Sequence, residues 1–572
     1  MAASEPTIIG AMNVKARLFR AFTSSVRPGR DSVWTLLIAT ISALVLAPLL
    51  VIFTAWRQPA WDIWEHLYAT VLPDLLVNTL MLSVGVCLAS AVLGVSLAWL
   101  TAMCDFPGRR VLSWALLLPL AMPGYVLAVA VLGLLDFGGP VASLIRGLFG
   151  SGAWTPPARS TPVIIAVLTL TLYPYVYLLT RNAFLTQGQR MLEAARTLGC
   201  SPFRAFYKVI LPMARPWVAG GVMLVLMETL ADFGTVSAFN FDTFTTAIYK
   251  AWYGFFSLPA AAQLSSCLVT VVFVVVLVEQ RLRSRRRYAE SRPVATGARL
   301  RLEGPWRWLA LAYAGGVLLL ALVLPVGQLM SWAIGSFGEE FNGRYLSLIY
   351  HSLRLGLIGA VIVVLVSLGV AYGQRRRPGP GHRAMVRLAN LGYALPGPVL
   401  AVGLFIPMIA LDRYVSTFLQ DTFGLEPGAL LTGTGLAMLL AYLVRFLAVG
   451  FKAVDGAMHR IPPHLDEAAR LMGHGGFSRL MRLHLPLLKN GLLTAATLVF
   501  VDIMKEMPIT LMTRPFGVDT LAVKIFELTS EGEWERAALP ALTLLAAGVL
   551  PIVLFMRAGE GADGSGRSSD KG

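Results

Sequence analysis

Long apolar stretches recur along the whole chain, and few folds can accommodate them. Runs of roughly twenty or more apolar residues are long enough to cross the hydrocarbon core of a membrane as α-helices. The spans predicted in this way, about twelve, lie near 33–55, 77–101, 111–135, 160–180, 214–236, 258–279, 308–332, 350–373, 388–410, 429–451, 490–512 and 537–556. Hydrophobic residues make up 56% of the chain and charged residues 14%, which is typical of multi-span membrane proteins. Membrane β-barrels have short alternating segments instead, so the sequence predicts an all-α membrane protein.

The lysines and arginines are distributed unevenly between the predicted loops. Most of them lie in the N-terminal segment, in the loop after every second span and in the C-terminal tail. Because cytoplasmic loops carry the excess of basic residues, we expect these segments, including both termini, to be cytoplasmic. The formal net charge of +16 then reflects topology, and its dispersal over many loops argues against nucleic-acid binding. The arginines within 281–287 suit a contact with anionic membrane lipid.

One polar sequence occurs twice, in two predicted cytoplasmic loops that we name loop 1 (187–213) and loop 2 (460–487). The residues shared by the two copies are Glu193, Ala194, Ala195 and Gly199 in loop 1 and Glu467, Ala468, Ala469 and Gly473 in loop 2. A Leu-Pro pair closes each copy, at Pro212 and Pro486. The spacing from glutamate to glycine and from glutamate to proline is the same in both copies. A duplicated polar loop between membrane spans predicts a docking element that a soluble partner uses twice.

The repeat extends over a whole unit of six spans. Residues 122–129 match 395–402, and residues 242–244 match 519–521. An even number of spans per unit gives both halves the same orientation, which is a parallel repeat about an axis along the membrane normal. The predicted organisation is an N-terminal cytoplasmic segment at 1–32, a first half at 33–280, a basic linker at 281–306, a second half at 307–557 and a polar tail at 558–572.

Each loop is expected to form a helix, a glycine stop and a second helix. In loop 1, good helix formers precede Gly199, which suits a left-handed stop, and Ser201 with Pro202 can begin the next helix. Loop 2 has Gly475 and Gly476 at that point, so we expect its second helix to begin less sharply. Small alanines on one face would let such a loop lie closely in a groove.

The duplicated Glu-Ala-Ala pattern, with its glycine and its Leu-Pro ending, resembles the coupling loop of permease subunits of binding-protein-dependent ABC importers. The resemblance implies a type I importer permease fold and gives the eight shared residues of loops 1 and 2 the role of ATPase coupling. It also implies two copies of a cytoplasmic ABC ATPase, one periplasmic substrate-binding protein and a location in a bacterial inner membrane. The sequence contains no Gly-x-x-x-x-Gly-Lys-Ser/Thr phosphate loop. We therefore expect a transport subunit that is no enzyme by itself, has no cofactor of its own and relies on ATP-Mg bound to partner subunits.

A few polar and helix-breaking residues interrupt the spans, and such residues are functional candidates. The candidates for the translocation path or its gate are the acids Glu228, Asp232, Asp502 and Glu506 and the prolines Pro123 and Pro396. An alternative is a structural network in which Lys505 pairs with Asp502 or Glu506. The proline breaks could equally be packing kinks. Arg445 is expected to be a structural partner or a snorkelling side chain.

Several segments, among them 228–234, 242–249, 505–508 and 519–522, resemble ferric-iron-type permeases. This resemblance implies Fe³⁺ as the substrate, and thiamine, polyamine or phosphonate import by the same class of protein remains an alternative. The spans contain no His-x-x-x-His pair, which argues against a channel for a soft metal. A secondary transporter would also have parallel halves, but it would normally carry more coupling charges in its spans. The outer loops at 237–257 and 513–535 are candidates for docking the binding protein.

Overall fold

The structure, a computed structural model, describes residues 32–57, 59–150, 155–284, 299–425 and 429–565. The helices of the first half are α1 Ser32–Thr54, α2 Trp61–His66, α3 Leu72–Met103, α4 Arg109–Ala115, α5 Gly124–Leu135, α6 Pro140–Phe149, α7 Thr161–Ala183, α8 Gln189–Thr197, α9 Pro202–Ala205, α10 Leu211–Ala231, α11 Gly234–Ala238, α12 Phe244–Tyr249 and α13 Leu258–Ser284. Those of the second half are α14 Pro305–Leu318, α15 Leu324–Glu340, α16 Gly343–Arg376, α17 Pro380–Ala389, α18 Gly397–Phe423, α19 Leu436–His459, α20 Pro463–Leu471, α21 Gly476–Arg479, α22 Leu485–Met504, α23 Pro508–Thr513, α24 Leu521–Ser530 and α25 Trp534–Ser565.

Eleven helices within the described residues are long and apolar enough to cross a membrane. The remaining predicted span, near 537–556, falls in α25, whose side chains are described up to residue 549. The predicted N-terminal segment at 1–32 lies outside the described residues except for Ser32, and Arg285, Arg286 and Arg287 of the linker also lie outside them. The tail at 558–572 is described up to residue 565, as backbone only. The all-α architecture in two halves is as predicted.

The third and ninth predicted spans are interrupted at their Pro-Gly pairs. Helix α4 ends at Ala115, a short 3₁₀ turn follows, and α5 begins only after Pro123. The second half repeats this break between α17 and α18, before Gly397. Both prolines are extended, with ψ of 142° at Pro123 and 145° at Pro396. Proline removes a helix hydrogen bond and clashes with the preceding turn, so both helices restart just after it.

The first helix of each half packs on the opposite half. Helix α1 lies against α16, α17 and α18, and the Ser42 hydroxyl donates a hydrogen bond to the Met385 carbonyl at 2.9 Å. Helix α15 lies against α5 of the first half and also against α25 of its own half, while α14 contacts α4 of the first half. Gly403 of α18 permits one close approach, because an added Cβ would lie 2.8 Å from the carbonyl oxygen of Pro48. This reciprocal exchange joins the halves into one body.

The outer surface of the long helices is apolar. Leu36, Leu88, Leu319 and Leu365 are among the large side chains exposed there. Contiguous exposed apolar surface is unfavourable in water but suits lipid tails. The interior between the halves is where the polar side chains collect.

Two short segments also pair at the face that carries loops 1 and 2, which we call the basic face. Strand β1, Cys104–Asp105, follows α3, and strand β2, Leu300–Arg301, lies at the end of the linker before α14. They pair in parallel, and the backbone N–H of Leu302 donates to the Asp105 carbonyl at 3.2 Å. The end of the linker is therefore attached to the first half.

Candidate functional site

Loops 1 and 2 have the same backbone conformation at their glycines. Gly199 and Gly473 both have φ of +78°, a value that glycine adopts without the steric cost of a Cβ. The Gly199 N–H donates to the Arg196 carbonyl at 2.9 Å, and the Gly473 N–H donates to the Arg470 carbonyl at 3.0 Å. Each glycine thus ends a helix, α8 or α20, as the sequence predicts.

The predicted coupling residues divide each of these helices into two faces. Ala195 of α8 and Ala469 of α20 are buried against the protein. The other predicted coupling residues, Glu193, Ala194, Gly199, Glu467, Ala468 and Gly473, are exposed. In each loop, the buried alanine therefore anchors the helix, and the exposed glutamate, alanine and glycine form an outer face that a partner can contact.

Large apolar side chains stand exposed beside that outer face in both loops. Leu198 and Phe203 are 84% and 73% exposed in loop 1, and the residues 274 positions later, Met472 and Phe477, are 69% and 64% exposed in loop 2. Exposed apolar patches that recur at equivalent positions are typical of protein interaction sites. The start of the second helix differs as expected: the Ser201 hydroxyl caps α9, whereas α21 begins at Gly476 without a side-chain cap.

Loop 2 is held in place by a charged network. Asp466 accepts hydrogen bonds from Arg375 Nε at 2.8 Å and from His484 Nε2 at 2.8 Å. Arg375 also donates to the carbonyls of Met458 and Ile461 at 2.6 and 2.8 Å. Burial alone would raise the pKa of Asp466, but the hydrogen bonds from His484 and Arg375 outweigh it and lower the pKa below its usual value.

Loop 1 is held by apolar packing at the corresponding positions. Leu192 replaces Asp466, and Ile210 replaces His484, each 274 residues earlier. Both side chains are buried in one cluster with Met103 of α3. The two loops therefore share a backbone but differ in what fixes them to the spans.

A cavity of about 1050 Å³ lies between the halves. Tyr175 of α7 and Leu224 of α10 line it from the first half, and residues of α19 and α22 line it from the second. Its wall includes Arg460 and Pro462 at the start of loop 2. The cavity thus connects the interior, where Tyr175 and Tyr393 lie, with the basic face.

A central polar cluster lies next to this cavity, and the cavity lining includes two of its members. The cluster consists of Tyr175, Tyr393, Glu228, Asp502 and Lys505. The Tyr393 hydroxyl donates to Glu228 at 3.0 Å. Lys505 pairs with Asp502 at 2.9 Å. The bond from Tyr393 to Glu228 therefore crosses from one half to the other.

The other two predicted acids cap short helices after the spans. Asp232 accepts hydrogen bonds from the Val236 N–H at 3.1 Å and from the Thr235 hydroxyl at 2.9 Å. Glu506 accepts one from the Ile509 N–H at 3.2 Å. Glu506 also pairs with Arg445 at 3.3 Å, which gives this arginine a structural partner. Asp232 and Glu506 thus fix the turns that follow α10 and α22.

The Pro-Gly breaks adjoin these capped turns. A Cβ on Gly124 would lie 3.6 Å from Asp232 Oδ2, and one on Gly397 would lie 3.0 Å from Glu506 Oε1. The breaks after Pro123 and Pro396 therefore let two helix starts approach the capping acids closely. This arrangement is equivalent in the two halves.

Aromatic side chains of both halves pack together on the side away from the basic face. Phe233, Tyr249 and Phe526 contact one another with ring centroids 5.3 to 6.0 Å apart. The Tyr253 hydroxyl donates to the Met512 carbonyl at 3.0 Å, and Trp252 packs on Phe405. The outer loops proposed for docking thus also join the halves.

Sequence reasoning missed Tyr175, Tyr393 and Arg375. Tyr393 lies three residues before Pro396, so its position next to a helix break could have drawn attention. Arg375 lies near the end of a span, where a basic residue is ordinarily taken for a topology marker. Within the described ranges, no group of three or more His, Cys, Asp or Glu side chains is arranged to hold a metal ion.

Comparison with known proteins gives one family and several relatives. Residues 90–288 and 364–559 each match the family described as binding-protein-dependent transport system inner membrane component. The chain is 26% identical over 538 residues to the Fe(3+)-transport system permease protein FbpB 2 of Haemophilus influenzae, covering 93% of this chain and 99% of the relative. It is 23% identical over 498 residues to the ferric transport system permease protein FbpB of Actinobacillus pleuropneumoniae, covering 84% and 70%. A molybdenum transport system permease protein ModB of H. influenzae is 29% identical over 206 residues, covering 35% and 86%.

Proposed function

The chain belongs to the binding-protein-dependent transport system inner membrane components, and on this premise we propose that it is the fused two-half permease of an ATP-driven ferric-iron importer. It is a multi-pass inner membrane protein and a transport subunit, and its ATPase and its periplasmic binding protein are separate partners. The observation that carries the proposal is the pair of loops with one backbone and equivalent exposed apolar patches. Iron is supported by the ferric-transport relative that matches along almost its whole length.

Each of the two loops would receive one ATPase subunit. The contact would be made by the coupling residues, with the apolar pairs Leu198 and Phe203 in loop 1 and Met472 and Phe477 in loop 2 beside them. The basic face would then be cytoplasmic and both termini would lie inside, in agreement with the distribution of basic residues. ATP-Mg would be bound by the two ATPase copies, and a single binding protein would dock on the opposite face.

The cavity between the halves would be the inner part of the path. Tyr175 and Tyr393 line it, Glu228 accepts the hydrogen bond of Tyr393, and Asp502 interacts electrostatically with both tyrosines. Fe³⁺ is a hard cation that prefers oxygen ligands, and these four groups are all oxygen donors. Lys505 next to Asp502 would limit the net negative charge, so that a trivalent cation is not held too tightly to leave.

Asp232, Glu506, Pro123 and Pro396 would act at the gate rather than as ligands. The two acids are occupied as helix caps, and the prolines place the restarted helices beside them. Movement of α10 and α22 would shift both capped turns together. A change at the loops would thereby reach the outer end of the path.

The test is reconstitution with the partner subunits in vesicles. The chain, its ATPase and its binding protein are assembled, and uptake of Fe³⁺, thiamine, a polyamine and a phosphonate is measured with and without ATP. We expect Fe³⁺ uptake that requires both ATP hydrolysis and the binding protein. Uptake of thiamine, a polyamine or a phosphonate in place of Fe³⁺ would remove the assignment to iron and keep the class. Uptake that persists without ATP would remove the class itself.

A further inference from the structure

Four arginines of the first half and the linker come together at the basic face. Arg109 and Arg110 begin α4, Arg181 lies in the last turn of α7, and Arg299 directly precedes strand β2. Arg299 interacts electrostatically with the other three arginines. We call these four residues the arginine cluster.

The charges in this cluster are not balanced by the described residues around it. Asp105 is the one acid among the charged groups that act on Arg299, and Asp105 is already paired with Arg109 at 3.2 Å. Burial lowers the pKa of Arg299, and the neighbouring Arg109, Arg181 and Arg110 lower it further. Like charges packed together in this way cost free energy unless an anion joins them.

Two Nε atoms of the cluster also lack hydrogen-bond partners among the described residues. The Nε atoms of Arg181 and Arg299 are buried, and no acceptor within the described ranges reaches them. A buried charged donor without an acceptor is costly. A phosphate group offers several strong acceptor oxygens and suits the fork of a guanidinium.

The arginine cluster lies at the level of the membrane surface. Arg181 lies in the last turn of α7, just after the predicted span at 160–180, and Trp306 and Trp308, shortly after Arg299, are exposed at the start of α14. Tryptophan is enriched at the headgroup level of membranes. An anion that reaches the cluster from the lipid would therefore come from a headgroup.

The linker sequence cannot supply the missing negative charge. Between residues 281 and 298 it contains the arginines 281, 283, 285, 286, 287 and 292 and a single acid, Glu290. By sequence, this part of the linker therefore carries a large excess of positive charge.

We propose that the arginine cluster binds the phosphate headgroup of an anionic phospholipid. The lipid would connect the linker, the turn after α3 and the end of α7 at one point. This point adjoins loop 1, because Leu300 and Leu302 pack on the same apolar cluster as Leu192. The bound lipid would thus stabilise loop 1, which is held by apolar packing and not by a charged network like that of loop 2.

The test measures lipid binding to the purified full chain by native mass spectrometry. Phosphatidylglycerol and phosphatidylcholine are titrated against the unmodified protein and against Arg181→Gln/Arg299→Gln. We expect phosphatidylglycerol to bind more tightly than phosphatidylcholine, and the double variant to lose about 30-fold in affinity for phosphatidylglycerol, at about 1 kcal/mol for each arginine. The matched control, Arg387→Gln/Arg413→Gln, removes two exposed arginines elsewhere and should bind as the unmodified protein does.

Further measurements keep the proposal open to refutation even if the glutamine variant folds poorly. Arg181→Lys/Arg299→Lys should keep part of the affinity, and binding to the unmodified protein should weaken as salt increases. Equal phosphatidylglycerol binding by the glutamine variant and the unmodified protein, or binding independent of salt, would overturn the proposal. If inorganic phosphate alone binds as tightly as phosphatidylglycerol, the site takes a free anion and the lipid assignment is wrong.

Discussion

Replacing Asp466 by asparagine should loosen loop 2 and leave loop 1 unchanged. The asparagine would keep the shape of the side chain but lose the charge that pairs with Arg375 and His484. Breaking a fully buried ion pair costs about 3–5 kcal/mol. Because Asp466 and Arg375 are each 18% exposed, water recovers part of this cost, and we expect about 2–3 kcal/mol. The undocked fraction of loop 2 should therefore rise about 30- to 150-fold.

Hydrogen exchange of the purified chain measures this fraction directly, loop by loop. Amides of α20 and α21 should exchange faster in Asp466→Asn, while those of α8 and α9 keep their rates. Leu192→Asn is the matched control, because Leu192 holds the equivalent position in loop 1. It should give the opposite pattern, with faster exchange in loop 1 alone.

A second variant tests whether the apolar packing that holds loop 1 can replace the charged network that holds loop 2. Asp466→Leu/His484→Ile copies the apolar pair of loop 1 into loop 2, yet it leaves Arg375 and the buried Arg479 without their acid. We expect it to be at least as loose as Asp466→Asn. Unchanged exchange of loop 2 in Asp466→Asn, or full protection in the double variant, would show that the charged network does not hold the loop.

Three further predictions concern the path, the glycine stops and pH. Glu228→Gln and Asp502→Asn should each lower Fe³⁺ uptake about tenfold, as expected when one charged contact is lost. ATPase binding should stay intact in both variants. Unchanged uptake would remove these acids from the path. Gly199→Ala and Gly473→Ala each place a Cβ at φ of +78°, at a cost of about 1 kcal/mol. Affinity for the ATPase should therefore fall about fivefold. An unaltered affinity in a binding titration would contradict the docking role of the loops. The pKa of Asp466 is lowered in the native state, so its contribution to stability is complete above the pKa of the unfolded state and is lost as pH falls through the native pKa. Hydrogen exchange in loop 2 should therefore become faster in that pH range. An identical increase in Asp466→Asn would exclude this carboxyl as the cause.

The loops could be predicted well because their structure is local. A glycine at a fixed distance after good helix formers is enough to indicate Gly199 and Gly473 as helix stops, and both have the expected φ. The breaks at Pro123 and Pro396 are local in the same sense, since proline excludes the helix hydrogen bond wherever it lies. Because the sequence is duplicated, each of these features could be predicted independently at two positions.

The charged network of loop 2 and the packing of α1 and α15 on the other half could not be predicted, because they depend on partners distant in sequence. Asp466 and Arg375 are separated by 91 residues, and no local pattern selects this arginine among many. The packing of α1 on α18 follows from Gly403 and Pro48, whereas an apolar span alone does not indicate which half it will contact. Arg445 was expected to have a structural partner or to snorkel, and the sequence did not indicate that the partner is Glu506.

In the proposed mechanism, the two loops would act on the central polar cluster through equivalent helices. A π-helical turn, Phe206–Ile210 or Leu480–His484, joins each loop to a long helix. Glu228 and Asp502 lie 17 residues after the first residues of α10 and α22, which is about 25 Å along a helix. A stiff helix carries a displacement of the loop over this distance. Because Glu228 accepts its hydrogen bond from Tyr393 of the opposite half, movement of α10 against that half would break this bond. In the proposed mechanism, this cluster would be where motion of the loops changes the path.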